Sequence, residues 1–158
     1  MLENKTVESV EYTGTLSEHG VKCLNVKGEQ ERVAETFNLS HAIIVPSNKS
    51  FVFTSGHIGC DDDMFSYTPS IEVQMFNAFE NIEKTLVGAG ALDGWGSVIQ
   101  LTTYHLNDIQ SQEFGDALNK VYEKYLNKNR PGCTILGVSQ LGIKGMLVEV
   151  QVTAIIDT

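Results

Sequence analysis

The stretch from Leu147 to Ala154 constrains this chain more than any other. Val148, Val150, Val152 and Ala154 alternate there with Leu147, Glu149, Gln151 and Thr153. A period of two puts each set on its own face of an extended strand, whereas a helix would scatter both around its surface. One face therefore has to be covered by apolar partners. The other carries a carboxylate, an amide and a hydroxyl, which suits it to meet another subunit or to line a pocket.

Two earlier segments supply the cover. Val73, Phe76, Phe79, Ile82 and Leu86, with Met75, recur at steps of three and four. They predict a helix that opens at Pro69-Ser70, with Ser70 as N-cap and Glu72 in the first turn, and stops at Gly88-Ala-Gly90. A second helix is predicted over residues 111–126, with Phe114, Leu118, Val121, Tyr122 and Tyr125 as its stripe. Residues 42–45 and 51–54 are β-rich runs joined by Pro46-Ser-Asn-Lys-Ser50, which predicts a hairpin. Residues 98–104, 134–138 and 146–156 read as further strands, the last two joined by a glycine-containing turn. The order β-β-α-β-α-β-β predicts an α+β domain with two helices on one face of a mixed sheet. Residues 1–37 are polar and weakly patterned. They read as an N-terminal extension with short edge strands at 7–12 and 21–26 and a charged loop at 28–32, before a domain spanning 38–158.

Composition narrows the function classes. A chain of 158 residues suits one domain, and 42% apolar residues exclude intrinsic disorder. No run approaches the ~20 apolar residues of a membrane span, so no membrane partner is expected. Eleven Lys and Arg against 20 Asp and Glu leave a net charge of −9, which argues against a nucleic-acid backbone as partner. The nearest basic cluster, Lys120, Lys124, Lys128 and Arg130, reads as a solvated helix face. The first residues show no export signal, and Cys23, Cys60 and Cys133 are odd in number and widely spaced. Free thiols and a cytoplasmic location are therefore expected. On the same ground the glycosylation sequons at Asn4, Asn38 and Asn48 read as coincidences.

The standard chemical signatures are absent: no phosphate loop, dinucleotide fingerprint, metalloprotease helix or nucleophile elbow occurs. Gly88, Gly90, Gly94 and Gly96 follow a helix where a phosphate cradle would precede one, so they read as a stop and turn. Asp61-Asp62-Asp63 lacks the spacing of a calcium loop and reads as a solvated turn. His19, His41, His57 and His105 show no ligand spacing. No metal and no cofactor are expected.

Several segments together nevertheless resemble a family. Ser40-His-Ala-Ile43, Thr54-Ser-Gly-His57, Val73-Gln-x-x-x-Ala-Phe-x-Asn-Ile82, Asn119-x-x-Tyr122, Arg130-Pro-Gly-Cys-Thr134 and Leu147-Val-Glu-Val150 are similar in order and spacing to the RidA/YjgF family, the reactive imine/enamine deaminases. The resemblance covers roughly the last three-quarters of the chain. It implies a chorismate-mutase-like fold and a homotrimer whose sheets face a central barrel, with clefts between subunits. It also implies cofactor-free hydrolysis of imines, or their enamine tautomers, to carbonyl compounds and ammonia. Carried over by position, the family's pocket falls on Ser55, Gly56, Asn119 and Glu149.

At four positions the chain departs from the family. Cys133 stands where the family's carboxylate-gripping arginine is expected, Ile135 replaces a cysteine, and Leu39 replaces a tyrosine, with His41 in place of a glutamine. Arg130 lies on the other side of Pro131. A bidentate Arg–carboxylate pair is strong and geometrically specific, and a thiol offers nothing equivalent. The expected substrate is thus a small imine, enamine or related carbonyl compound, hydrolysed or isomerised without the usual carboxylate grip. Glu149 and Asn119 are the candidate catalytic residues, and Ser55, Gly56, Leu39, Cys133 and Ile135 the candidate substrate-binding ones. Cys133 as a nucleophile would need an activating base or positive charge, and none is identifiable. Glu149 reads equally as a functional group or as a carboxylate packed between subunits. The competing reading is a non-catalytic, ligand-binding or chaperone-like trimer of the same fold. A ribonuclease, an activity attributed to some relatives, is disfavoured by the charge.

Overall fold

Thirteen short elements are arranged around β8 (Val148–Asp157) in a computed structural model that describes residues 7–61, 66–91, 93–106 and 108–157. Asn4, Asp62 and Asp63, which the sequence placed in a sequon and an acidic turn, lie outside the described residues. In β8, Val148, Val150, Val152 and Ala154 are buried, Glu149 and Thr153 half-buried and Gln151 exposed, as the alternation requires. β4 (Lys49–Phe53) and β6 (Val98–His105) flank it antiparallel, and β5 (His57–Ile58) also pairs with it. β7 (Gly132–Gly137) runs parallel to β6, which makes the five-stranded sheet mixed, in the order β4-β8-β6-β7. The last two strands in sequence are therefore not neighbours, because β6 lies between them.

α3 (Ile71–Gly88) and α4 (Gln112–Tyr125) cover one face. Ser70 caps α3 by accepting from the Val73 amide at 3.4 Å, and Ser111 caps α4 by accepting from Phe114 at 3.3 Å. The buried stripe of α3 runs through Ile71, Met75, Ala78, Phe79, Ile82 and Leu86, not through Val73, which is exposed. Val73 is two residues, about 200° of helix, from both Ile71 and Met75, so it cannot share their face. Phe79 stacks on Trp95 at 4.4 Å between centroids, and the Trp95 indole N–H donates to the Phe79 carbonyl. Trp95 sits in a short 3₁₀ turn, Gly94–Ser97, so the glycine-rich stretch after α3 is structural.

The N-terminal third departs from expectation in two ways. β3 (Ala42–Ile44) forms no hairpin with β4. It pairs with β2 (Lys22–Val26), which pairs with β1 (Ser9–Tyr12), in a separate three-stranded sheet. The cause is a second small core. Leu16 of α1 (Thr15–Glu18), Val21 and Cys23 pack with Ile99 and Ile155, and they draw Ile43 and Val45 onto themselves. The expected charged loop at 28–32 is instead the start of α2 (Glu29–Thr36), with Gly28 as its N-cap residue. Glu29 and Glu31 favour the positive end of that helix dipole, and Ala34 is buried beneath it.

Candidate functional site

The sheet's register decides which candidate residues can meet. Cys133 pairs with Leu101, and Ile135 with Thr103, so both side chains point to the helix-covered face and pack on the main core. Glu149 pairs with Tyr104 on β6 and Ile58 on β5, one residue out of phase with the buried valines, and so projects from the opposite face.

On that outer face, Ser55 and Gly56 are exposed just after β4, with Gly56 directly over Glu149. A Cβ on residue 56 would collide with the Glu149 carboxylate and its stem. The glycine therefore lets the half-buried carboxylate lie against the backbone. Phe51 and Phe53 on β4 share this face, their rings 6.1 Å apart and 50% and 75% exposed. Two large aromatic side chains this open at one sheet edge form an apolar patch on the carboxylate's face, farther along β8, where Phe53 pairs with Thr153 and Phe51 with Ile155.

On the helix face, a cavity of about 240 Å³ lies between α4 and the segment that follows α2. Leu118, Asn119 and Tyr122 of α4 and Ile135 of β7 form one wall, and Thr36, Phe37 and Asn38 form the other. Glu123 and Asn127 complete the lining. Asn38 holds a positive φ of 51°, which turns the chain from α2 toward β3. Leu39 is half-buried next to it, its amide donating to the Ala34 carbonyl at 3.0 Å. Behind Ile135, the Cys133 thiol lies 3.1 Å from the Tyr122 hydroxyl. Burial pushes the Cys133 thiol above its ordinary pKa and the Tyr122 phenol well above its own, so both stay protonated and neutral at pH 7. A protonated, hydrogen-bonded thiol is a lining group; the sequence alternative of a thiolate nucleophile has no support here.

The structure thus gathers Asn119, Ile135 and Cys133 on one face, with Leu39 adjoining, and Ser55, Gly56 and Glu149 on the other. Glu123, Phe37 and Asn38 are lining residues that sequence reasoning did not assign to a site, and Tyr122 entered it only through the helix stripe and the Asn119-x-x-Tyr122 motif. Tyr122 and Glu123 follow Asn119 on α4, where helical spacing was a usable signal. Phe37 and Asn38 could not be found while residues 28–32 read as a loop.

Several other titratable groups have structural partners. His41 Nδ1 accepts from the Val26 amide at 3.0 Å, and the His41 amide donates to Asn25 Oδ1 at 2.9 Å. His57 meets the Thr85 hydroxyl at 3.3 Å, and His19 reaches Asp93 at 2.9 Å and Asp157 at 3.3 Å. Lys120 pairs with Glu72 at 2.7 Å, and Lys124 lies 5.4 Å over Phe76 and 4.6 Å over Tyr125. The Arg130 guanidinium stacks on Tyr12 at 4.0 Å. Among the described residues, no three His, Cys, Asp or Glu side chains converge to hold a metal, and no helix is long and apolar enough to cross a membrane.

Comparison with known proteins adds three solved structures and one family. The family described as endoribonuclease L-PSP matches residues 29–156. YyfB of Yersinia pestis, a Rid-family protein of unknown function, aligns over 82% of this chain and 96% of its own at 20% identity, with TM-score 0.70. YyfA of the same organism, also of unknown function, aligns over 74% and 86% at 27% identity, with TM-score 0.57. RidA of an Antarctic Psychrobacter aligns over 76% and 95% at 22% identity, with TM-score 0.57. No curated protein matches the chain.

Proposed function

From the premise that the chain belongs to the endoribonuclease L-PSP family, that of the RidA/YjgF proteins, we propose a small-molecule enzyme that hydrolyses an imine or its enamine tautomer, or isomerises a related carbonyl compound. It works without cofactor, in clefts between the subunits of a homotrimer. What supports the reading is the separation of the two residue sets on opposite faces of one sheet. Neither set is a site by itself, and two copies packed side by side can offer the Glu149 face of one to the Asn119 cavity of the next.

In such a cleft Glu149 holds a water against the imine carbon. Water adds to that carbon, a proton passes to the nitrogen, and the C–N bond breaks to leave a carbonyl compound and ammonia. Asn119 and the backbone N–H groups around Ser55 and Gly56 polarise the substrate, while Leu39, Cys133 and Ile135 shape the pocket. RNA cleavage, which the family's description suggests, fits this chain poorly. Its net charge is −9, Lys120 is paired with Glu72, and Lys124 and Arg130 lie over aromatic rings.

The test supplies imines in place, from an amine oxidase and separately from an amino-acid oxidase, and follows ammonia release. Glu149→Gln should slow release by about a hundredfold, the low end for a lost acid–base group. An unchanged rate would remove Glu149 from the chemistry. Ligand binding with no turnover in the wild type would identify the chain as the non-catalytic trimer instead.

A further inference from the structure

The charge inventory around the α4 cavity goes further than the reaction class. Glu123 is the single charged side chain among the described residues lining it, and it has no ion-pair partner among them. Of the cations nearest in sequence, Lys120 is engaged on Glu72, Lys124 on Phe76 and Tyr125, and Arg130 on Tyr12, while Lys128 lines another groove beside Gly14 and Glu18. Arg32 is not in this lining; with Glu29 it lines an adjoining groove on the far side of Thr36 and Phe37, which the two share. At its inner end the cavity closes on the neutral Tyr122–Cys133 pair. Phe37, 56% exposed, contributes an aromatic ring to the same lining.

A carboxylate ligand would find no cation in the lining of this cavity and one like charge opposing it. A cationic ligand would meet a free carboxylate, an aromatic ring and the Asn119 amide oxygen. We infer that the cavity is a subsite for a small organic cation, an amine or iminium group on an apolar body, with Glu123 as its counter-ion. The inference rests on the reading of this cavity as half of the substrate cleft, and it assigns that cleft's substrate class. A volume of about 240 Å³ suits a body the size of one six-membered ring.

Three probes of one shape decide the matter: benzylamine, benzyl alcohol and benzoate, titrated at pH 7 and low salt by calorimetry and ligand-observed NMR. Benzylamine should bind at least about threefold more tightly than benzoate, the scale expected of one solvent-exposed charge. Glu123→Gln should erase the preference and Glu123→Lys should reverse it, both at a surface position where folding is unaffected. Benzoate binding as well as benzylamine, benzylamine binding that ignores Glu123→Gln, or no saturable binding of any probe would each overturn the inference. Because binding is read without turnover, this result and the ammonia-release result for Glu149→Gln can fail independently.

Discussion

His105 sits inside the fold, 1% exposed, with its Nε2 2.8 Å from the Thr103 hydroxyl and its ring edge-on to Phe114 at 4.6 Å. Burial lowers its pKa from 6.5 to about 4. The folded chain therefore keeps this imidazole neutral where the unfolded chain would protonate it. Its contribution to stability is complete above about pH 6.5 and is lost as pH falls toward 4, by about 3 kcal/mol at pH 4. Burial lowers the His57 pKa too, in the same sense. Urea unfolding of His105→Gln between pH 4 and 7 should show a slope flattened by about that amount. An unaltered slope would mean that the imidazole titrates in the folded state. The sequence showed His105 as a lone histidine near a strand end, and its burial became visible only once α4 lay across β6.

Gln74 does at the scale of elements what no apolar side chain could do. It lies fully buried on the inner face of α3, among Ile71, Met75 and Ala78. Its amide nitrogen donates to the Thr68 carbonyl at 2.7 Å and the Gly145 carbonyl at 2.9 Å, and its amide oxygen accepts from the Leu147 amide at 2.8 Å. One side chain thereby fastens the entry to α3 and the entry to β8 to each other. Gln74→Leu, close in volume, strands three backbone groups and should cost about 3 kcal/mol, read as a lowered denaturation midpoint at unchanged m-value. Both long helices are legible from cap and stripe, because local spacing alone sets them. The polar residue inside the α3 stripe and the pairing of β3 with β2 are not, because their partners lie far away in sequence.

For the whole molecule, the question is whether a site belongs to one chain. Under the proposed trimer, Glu149 comes from one copy and Asn119 from the next. Glu149→Gln and Asn119→Ala should each be inactive alone. Unfolded together in equal amounts and refolded, they should recover about a quarter of wild-type activity, since most trimers are then mixed and each mixed trimer holds one intact site of three. Activity that stays at the level of the separate variants would place the site within a single chain. The exposed Phe51–Phe53 pair on the same sheet face as Glu149 gives the second copy an apolar surface to cover.

The sequence by itself determined the two long helices, the strands of the larger sheet and the fold class. The alternation through β8 and the capped stripes of α3 and α4 are local patterns, set by the periods of strand and helix. The resemblance to the family implied that Cys133 stands where an arginine is expected. Tertiary structure decided the rest. Strand register put Cys133 and Ile135 on one face of the sheet and Glu149 on the other, a distinction of one residue that composition does not carry. Packing turned residues 29–36 into a helix whose end walls the cavity. The contacts that engage Lys120, Lys124 and Arg130 elsewhere also join distant segments. The charge deficit visible in the sequence thus acquires a location, around Glu123, only in the folded chain.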